Sequence, residues 1–115
     1  MKRILVAACL VGLTAQAKAE FWDGNTLFNY LSSSQSGERL AGSGYVIGVA
    51  DALYGVMHCA PANVTAGQIR DMVRNYLENV PAERHQTADS LVSKVLKATW
   101  PCQNNRGNSN GGRAL

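Results

Sequence analysis

The chain has 115 residues, enough for one small domain, and its 11 basic and 8 acidic residues give a formal net charge of +3. Most of the excess lies outside the expected domain, because the stretch from Glu20 to Cys102 holds six basic and eight acidic residues. A slightly acidic body lacks the positive surface of nucleic-acid-binding proteins, so the sequence argues against that class.

The first nineteen residues have the pattern of a secretory signal peptide. Two basic residues precede an apolar run from Ile4 to Leu13, which is too short for a membrane anchor. The small residues Ala17 and Ala19 occupy the −3 and −1 positions before a cut at Glu20. We therefore expect residues 1–19 to be removed and residues 20–102 to form an exported domain.

Removal of the signal peptide would determine which cysteines remain in the domain. A lipoprotein box ending at Cys9 is the rival interpretation, but it would leave almost no apolar segment before the cut, so Cys9 is expected to leave with the signal. Cys59 and Cys102 then remain, and an even number in an oxidising compartment favours a disulfide. A bridge closing this loop would contribute about 4 kcal/mol in the chain-entropy model.

Two helices are predicted in the first half of the domain. The first is capped by Asn25 or Thr26 and continues to about Leu31. The second covers Leu40 to Met57, and its apolar stripe consists of Tyr45, Val46, Val49, Ala52, Leu53 and Val56.

Three glycines also mark the second helix. Gly44, Gly48 and Gly55 fall on a flank beside the apolar stripe. Each glycine costs about 1 kcal/mol of helix propensity relative to alanine. The pattern therefore predicts that another backbone approaches this flank closely. Asp51 lies among them and is expected to bond a neighbouring helix end or to pair with Arg70.

Two more helices complete the domain. Thr65 and Gln68 form a capping box that starts the third, which Pro81 ends, and Thr87 caps the fourth. Their apolar faces comprise Ile69, Met72, Val73, Tyr76, Leu77 and Val80, then Ala88, Leu91, Val92, Val95, Leu96 and Thr99. No strand alternation is present. The sequence predicts an all-α fold, a compact bundle of about four helices stapled by one disulfide, with a disordered Asn/Gly-rich tail over residues 103–115.

No catalytic or metal-binding constellation accompanies this fold. Cys59 with His58 or His85 would be a nucleophile and base, but no third group or oxyanion loop accompanies them. The same residues with Cys102 lack the spacing of zinc ligands. We therefore expect no enzyme activity, no metal and no cofactor.

The connector between the third and fourth helices is Glu83-Arg84-His85-Gln86. Such a short polar segment is compatible with a solvated turn. It is also compatible with a rigid protruding loop whose side chains contact a partner.

Three stretches carry a resemblance to a known family. They are GYVIGVADA from Gly44 to Ala52, then Cys59 with VTAGQ from Val64 to Gln68, and finally Pro81 through Trp100-Pro101-Cys102. In order and spacing these stretches resemble the Rap/Tai immunity protein family, which protects bacteria from amidase effectors of type VI secretion. The resemblance covers Gly44 to Cys102 and is looser over the first helix.

The resemblance implies a periplasmic helical protein that binds a peptidoglycan amidase and blocks its cleft, often as a homodimer. It also supports the Cys59–Cys102 bridge. Family members often carry a second cysteine pair, at places that here hold Leu31 and Gly42. Packing of the first helix against the second is therefore expected to be looser.

Two functional hypotheses follow. The first is an immunity protein whose contacts to the amidase effector include Glu83, Arg84, His85 and Gln86. The second is a small periplasmic acid-stress chaperone, a holdase, supported only by architecture and location.

Overall fold

The computed structural model describes residues 21–103. The predicted signal peptide, residues 1–19, and residues 104–115 of the predicted tail lie outside this range. The elements are α1 (Gly24–Ser32), α2 (Ser36–Leu53), α3 (Ala66–Asn79), a 3-10 turn (Pro81–Glu83) and α4 (Ala88–Thr99). Within residues 21–103 the only β-type pairings are isolated bridges. The prediction of an all-α bundle of about four helices is confirmed.

The four helices enclose one apolar core, and each helix contacts the other three. Amphipathic helices with one apolar stripe each can bury those stripes only against one another. The stripes predicted for α3 and α4 supply most of the core. The buried apolar side chains of the cluster are Leu27, Leu31, Val46, Ala50, Val73, Leu77, Ala88, Leu91, Val92, Val95 and Leu96.

The cap of α1 differs from the prediction. Asp23, and not Asn25 or Thr26, is the N-cap, and its carboxylate accepts a hydrogen bond of 2.7 Å from the Thr26 backbone N–H. This bond satisfies one of the amides that a helix start leaves without a partner inside the helix, and it holds the pKa of Asp23 below its ordinary value.

The remaining amides at the start of α1 are satisfied from far along the chain. The N–H of Gly24 donates to the carbonyl of Gln86, and that of Asn25 to the carbonyl of Arg84, each at 2.9 Å. Gly24 is buried, and a Cβ placed on it would lie 2.9 Å from the backbone Cα of Arg84. The connector before α4 is therefore packed directly onto the beginning of α1.

The second helix begins and ends about four residues earlier than predicted. It covers Ser36–Leu53 instead of Leu40 to Met57. Gly55 has a φ of 77°, a left-handed conformation that ends the helix in a turn and that glycine adopts without strain. Beyond this break Val56 is exposed, and Ala52 also faces outward, so neither belongs to the apolar stripe.

The prediction of a backbone packed against the glycine flank was wrong. A Cβ on Gly44, Gly48 or Gly55 would meet no atom within 4 Å. The close approach occurs instead at Gly42, where a Cβ would lie 3.2 Å from the backbone nitrogen of Leu31. The expected looseness between α1 and α2 is therefore not found, because a missing side chain lets the two helices touch.

The caps of α3 and α4 lie where the sequence predicted them. Gln68 donates its backbone N–H to the Thr65 hydroxyl at 3.1 Å, and the Thr65 N–H donates to the Gln68 side chain at 2.8 Å, which completes the capping box. Thr87 is the N-cap residue of α4, although its hydroxyl donates to Ser90 Oγ at 3.0 Å and caps no backbone amide.

The predicted disulfide joins Cys59 to Cys102, with their Cα atoms 4.8 Å apart. Cys59 lies in the segment that follows α2, and Cys102 lies in the segment that follows α4. A backbone hydrogen bond of 2.8 Å from the Cys59 N–H to the Trp100 carbonyl runs beside the bridge. The bridge therefore ties the segment after α2 to the segment after α4.

Candidate partner-binding surfaces

His58 has a structural position next to the bridge. Its side chain is 2% exposed, and Nε2 lies 2.7 Å from the Ala50 carbonyl oxygen while Nδ1 lies 3.3 Å from the Ala60 backbone nitrogen. These contacts suit a neutral ring that donates from Nε2 to the end of α2 and accepts at Nδ1. Since the sulfur of Cys59 is in the bridge, the two do not form a nucleophile and base. Nowhere between residues 21 and 103 do three or more His, Cys, Asp or Glu residues form a group that could hold a metal ion.

Asp51 does not pair with Arg70. It is exposed on α2, whereas Arg70 forms an ion pair of 2.9 Å with Asp71 on its own helix. Asp51 borders a shallow depression of about 290 Å³ near the bridge, whose other lining residues are Ala50, Tyr54, His58, Ala60, Pro61, Ala62, Val64 and Ile69.

The predicted contact residue Glu83 is held by internal bonds. Its carboxylate accepts a hydrogen bond of 2.7 Å from the Tyr76 hydroxyl and lies 3.3 Å from the Lys94 ammonium. The Tyr76 bond and then the Lys94 bond hold the pKa of Glu83 below its ordinary value. Burial, followed by the bond to Glu83, raises the pKa of Tyr76.

Arg84 also packs inward. Its guanidinium lies over the ring of Phe28, 4.5 Å from the centroid, and its Nε is buried without a hydrogen-bond partner. His85 is exposed and lies 2.9 Å from the Ala82 carbonyl through Nδ1, and Gln86 is exposed. The connector is thus closely packed, and of the four predicted contact residues His85 and Gln86 are the most open to solvent, while Glu83, with its side chain 37% exposed, is bonded to the bundle and Arg84 is half-buried.

A second surface, which the sequence patterns did not predict, is an open groove of about 510 Å³. It lies where the end of α1 meets the first half of α2 and the start of α3. Its lining residues are Leu31, Ser32, Ser36, Arg39, Leu40, Ser43, Arg70, Asp71 and Arg74. We call it the arginine groove.

The guanidinium groups of the arginine groove are held mostly by neutral acceptors. Arg39 donates to the Ser33 carbonyl at 2.8 Å, and Arg74 lies 3.4 Å from the Ser32 hydroxyl. The four-residue spacing of Arg70 and Arg74 places both on one face of α3, which the sequence did indicate. The contribution of Arg39 depends on how α2 packs, and no local pattern reveals it.

None of the helices between residues 21 and 103 is long and apolar enough to cross a bilayer. No curated protein matches the sequence significantly. A family model described as Rap1a immunity proteins matches residues 5–102, a range that includes all four helices and both bridged cysteines. The chain therefore belongs to the family of Rap1a immunity proteins.

Proposed function

We propose that this protein is a periplasmic immunity protein that binds a peptidoglycan amidase effector of type VI secretion and occludes its active-site cleft. The observation that carries the proposal is membership of the Rap1a immunity family, which indicates binding of an effector. The amidase as target and the periplasm as location are inferred from the sequence resemblance and from the signal-like first nineteen residues.

The architecture supports binding by a preformed surface. The Cys59–Cys102 bridge and the packed connector fix the chain at both ends of the bundle, so few residues need to become ordered when a partner binds. A disulfide that holds a small domain together also suits an oxidising compartment. The effector would be blocked by side chains that enter or cover its cleft.

Within the connector, we propose that His85 and Gln86 make the direct contacts with the effector. Glu83 and Arg84 hold the connector in position, because Glu83 is bonded to Tyr76 and Arg84 packs on Phe28. The family resemblance also suggests a homodimer, and we include this state in the proposal. Light scattering on the purified, oxidised chain tests it.

The experiment that tests occlusion uses a peptidoglycan amidase effector, which is to be sought first among the genes that neighbour this one. Purified amidase is assayed on peptidoglycan with increasing amounts of the oxidised protein. We expect complete inhibition near one protein per amidase, weakened by the double substitution His85→Ala/Gln86→Ala. The control Lys97→Ala, on the exposed side of α4, should inhibit like the wild type. An amidase that stays fully active in the presence of a stoichiometric amount of the oxidised wild-type protein would contradict the proposal.

The acid-stress chaperone makes a different prediction. A holdase would suppress aggregation of unrelated unfolded proteins at acid pH, without a stoichiometric partner at neutral pH. Light scattering of a heat-denatured test protein at both pH values separates the two functions. We expect no protection of the test protein at either pH.

A further inference from the structure

The arginine groove concentrates positive charge on a body that is otherwise acidic. Three of the four arginines between residues 21 and 103 line it, together with one acidic residue, Asp71. Outside the groove the same stretch carries six acidic residues and only three basic ones. Such a local reversal of sign attracts a partner surface of negative charge and orients it as it approaches.

The charge in the groove is also available. Arg39 and Arg74 bond only to a neutral carbonyl and a neutral hydroxyl, so their charges are not cancelled by these bonds. Arg70 is paired with Asp71, but their side chains are 44% and 63% exposed, and exposed pairs of this kind are weak. Glu38, beside Arg39 in the chain, instead accepts a hydrogen bond from the Ser33 hydroxyl. An incoming carboxylate therefore meets three guanidinium groups and one competitor.

The apolar residues of the groove indicate a protein ligand. Leu40 lies on its lining and is 72% exposed, while Leu31 beneath it is buried. An exposed leucine next to arginines is typical of protein interfaces, where apolar anchors and arginines lie side by side. A small inorganic anion would gain nothing from the exposed apolar surface of Leu40.

We propose that the arginine groove binds an acidic segment of the effector, with aspartate or glutamate side chains on the arginines and an apolar neighbour on Leu40. The proposal rests on the proposed function, since it names a surface for the same partner. The groove and the connector lie at opposite ends of α1, whose 9 residues make a helix about 13 Å long. An interface of standard size covers roughly 800 Å² on each partner, so one effector can contact both.

Two variants of the groove are expected to have opposite effects on the affinity for the effector. Arg39→Gln/Arg74→Gln removes two charges from the groove and should weaken binding at least about tenfold at low salt, with a smaller loss at high salt where charges are screened. Asp71→Asn removes the competing carboxylate and releases Arg70, so it should tighten binding severalfold. A purely structural role of these exposed residues would not produce a gain.

The matched control is Lys97→Gln on α4, which removes one charge away from both the groove and the connector, and it is compared with the single substitution Arg74→Gln as well as with the double arginine variant. Affinities of the oxidised chain for the amidase of the inhibition assay are measured by calorimetry at about 0.05 M and 0.5 M salt. The proposal is supported if the control remains within about twofold of the wild type while the arginine variant loses affinity. Equal losses in Lys97→Gln and Arg74→Gln indicate attraction by net charge alone and overturn it.

Failure of this proposal differs from failure of the proposed function. If the wild type binds the amidase but neither the arginine variant nor Asp71→Asn changes the affinity, the groove is not used and the immunity function stands. If the wild type does not bind the amidase at all, both fail.

Charge reversal identifies the segment. Arg39→Glu/Arg74→Glu should abolish binding of the unchanged effector. Substituting lysine for the acidic residues of one effector loop should raise the affinity for this variant at least about tenfold. Circular dichroism of each variant should match the wild type. Failure of every acidic loop to rescue a folded charge-reversal variant contradicts the assignment.

Discussion

Gly24 and Gly48 differ in the space around a hypothetical methyl group, although both are helical glycines. A Cβ at Gly24 would approach backbone atoms of Arg84 to 2.9 Å, whereas a Cβ at Gly48 would meet nothing within 4 Å. We expect Gly24→Ala to lower the free energy of unfolding by about 1–3 kcal/mol because the connector must move. Gly48→Ala should raise it by up to about 1 kcal/mol through helix propensity. Urea denaturation of both variants measures the difference, and equal effects would contradict it.

The Asp23 cap makes the stability of the folded protein depend on pH, and the direction of this dependence follows from the pKa of the carboxyl group. The hydrogen bond from the Thr26 backbone N–H, which requires no proton on the carboxylate, holds the pKa of Asp23 below its ordinary value of 3.8 in the folded protein. A lowered folded pKa contributes stability above the unfolded pKa, and this contribution is lost as the pH falls through the folded value.

Asp23→Ala and Asp23→Asn separate the cap from its charge. At neutral pH Asp23→Ala should cost about 1 kcal/mol of unfolding free energy, and Asp23→Asn much less because asparagine caps as well. Below pH 3.8 the advantage of the wild type over Asp23→Asn should shrink. Urea titrations at neutral pH and at a pH well below 3.8 measure the difference in unfolding free energy between the wild type and each variant. A difference between the wild type and Asp23→Asn that grows on acidification would contradict the assignment of Asp23 as a charged cap.

At the scale of the elements, the sequence predicted best what depends on near neighbours. The capping box of Thr65 and Gln68 lies within four residues, so its pattern was sufficient to place the start of α3. The start of α1 depends on carbonyls about 60 residues away, and the local pattern pointed to Asn25 or Thr26 instead of Asp23.

The errors in α2 have a common physical origin. An apolar periodicity does not show where a helix stops, and here a left-handed Gly55 ends it before the predicted Met57. Periodicity also does not show which flank meets a neighbour, so the exposed glycines were assigned the contact that Gly42 makes. The arginine groove combines side chains from three helices and was not predicted, for the same reason.

The contact between α1 and α2 predicts an engineered bridge. The resemblance described above places the second cysteine pair of many family members at Leu31 and Gly42, and here a Cβ on Gly42 would lie 3.2 Å from the Leu31 nitrogen. Leu31→Cys/Gly42→Cys should therefore oxidise without rearranging the helices. Mass spectrometry should show a second disulfide, and the oxidised variant should melt at a higher temperature than its form with only the native bridge. Persistence of two free thiols after oxidation would show that the helices are too far apart.

At the scale of the whole molecule, the native bridge is expected to decide whether the domain stays folded. Cys59→Ala/Cys102→Ala opens the loop and should cost about 2–5 kcal/mol, a large part of the 5–15 kcal/mol typical of a domain. Thermal unfolding measures the loss, and wild type treated with a thiol reductant should show a similar one. An unchanged melting temperature in both would mean that packing alone holds the bundle.

The bonds between the start of α1 and the connector set the order in which the molecule can be completed. The amides of Gly24 and Asn25 need carbonyls that are synthesised about 60 residues later, and α4 supplies much of the core. At roughly 5–20 residues per second, the ribosome takes roughly 3–12 s to add that stretch. During this interval the first helix has no native partner from the last one. A protein built in this way cannot complete its core until almost all of its chain has been synthesised.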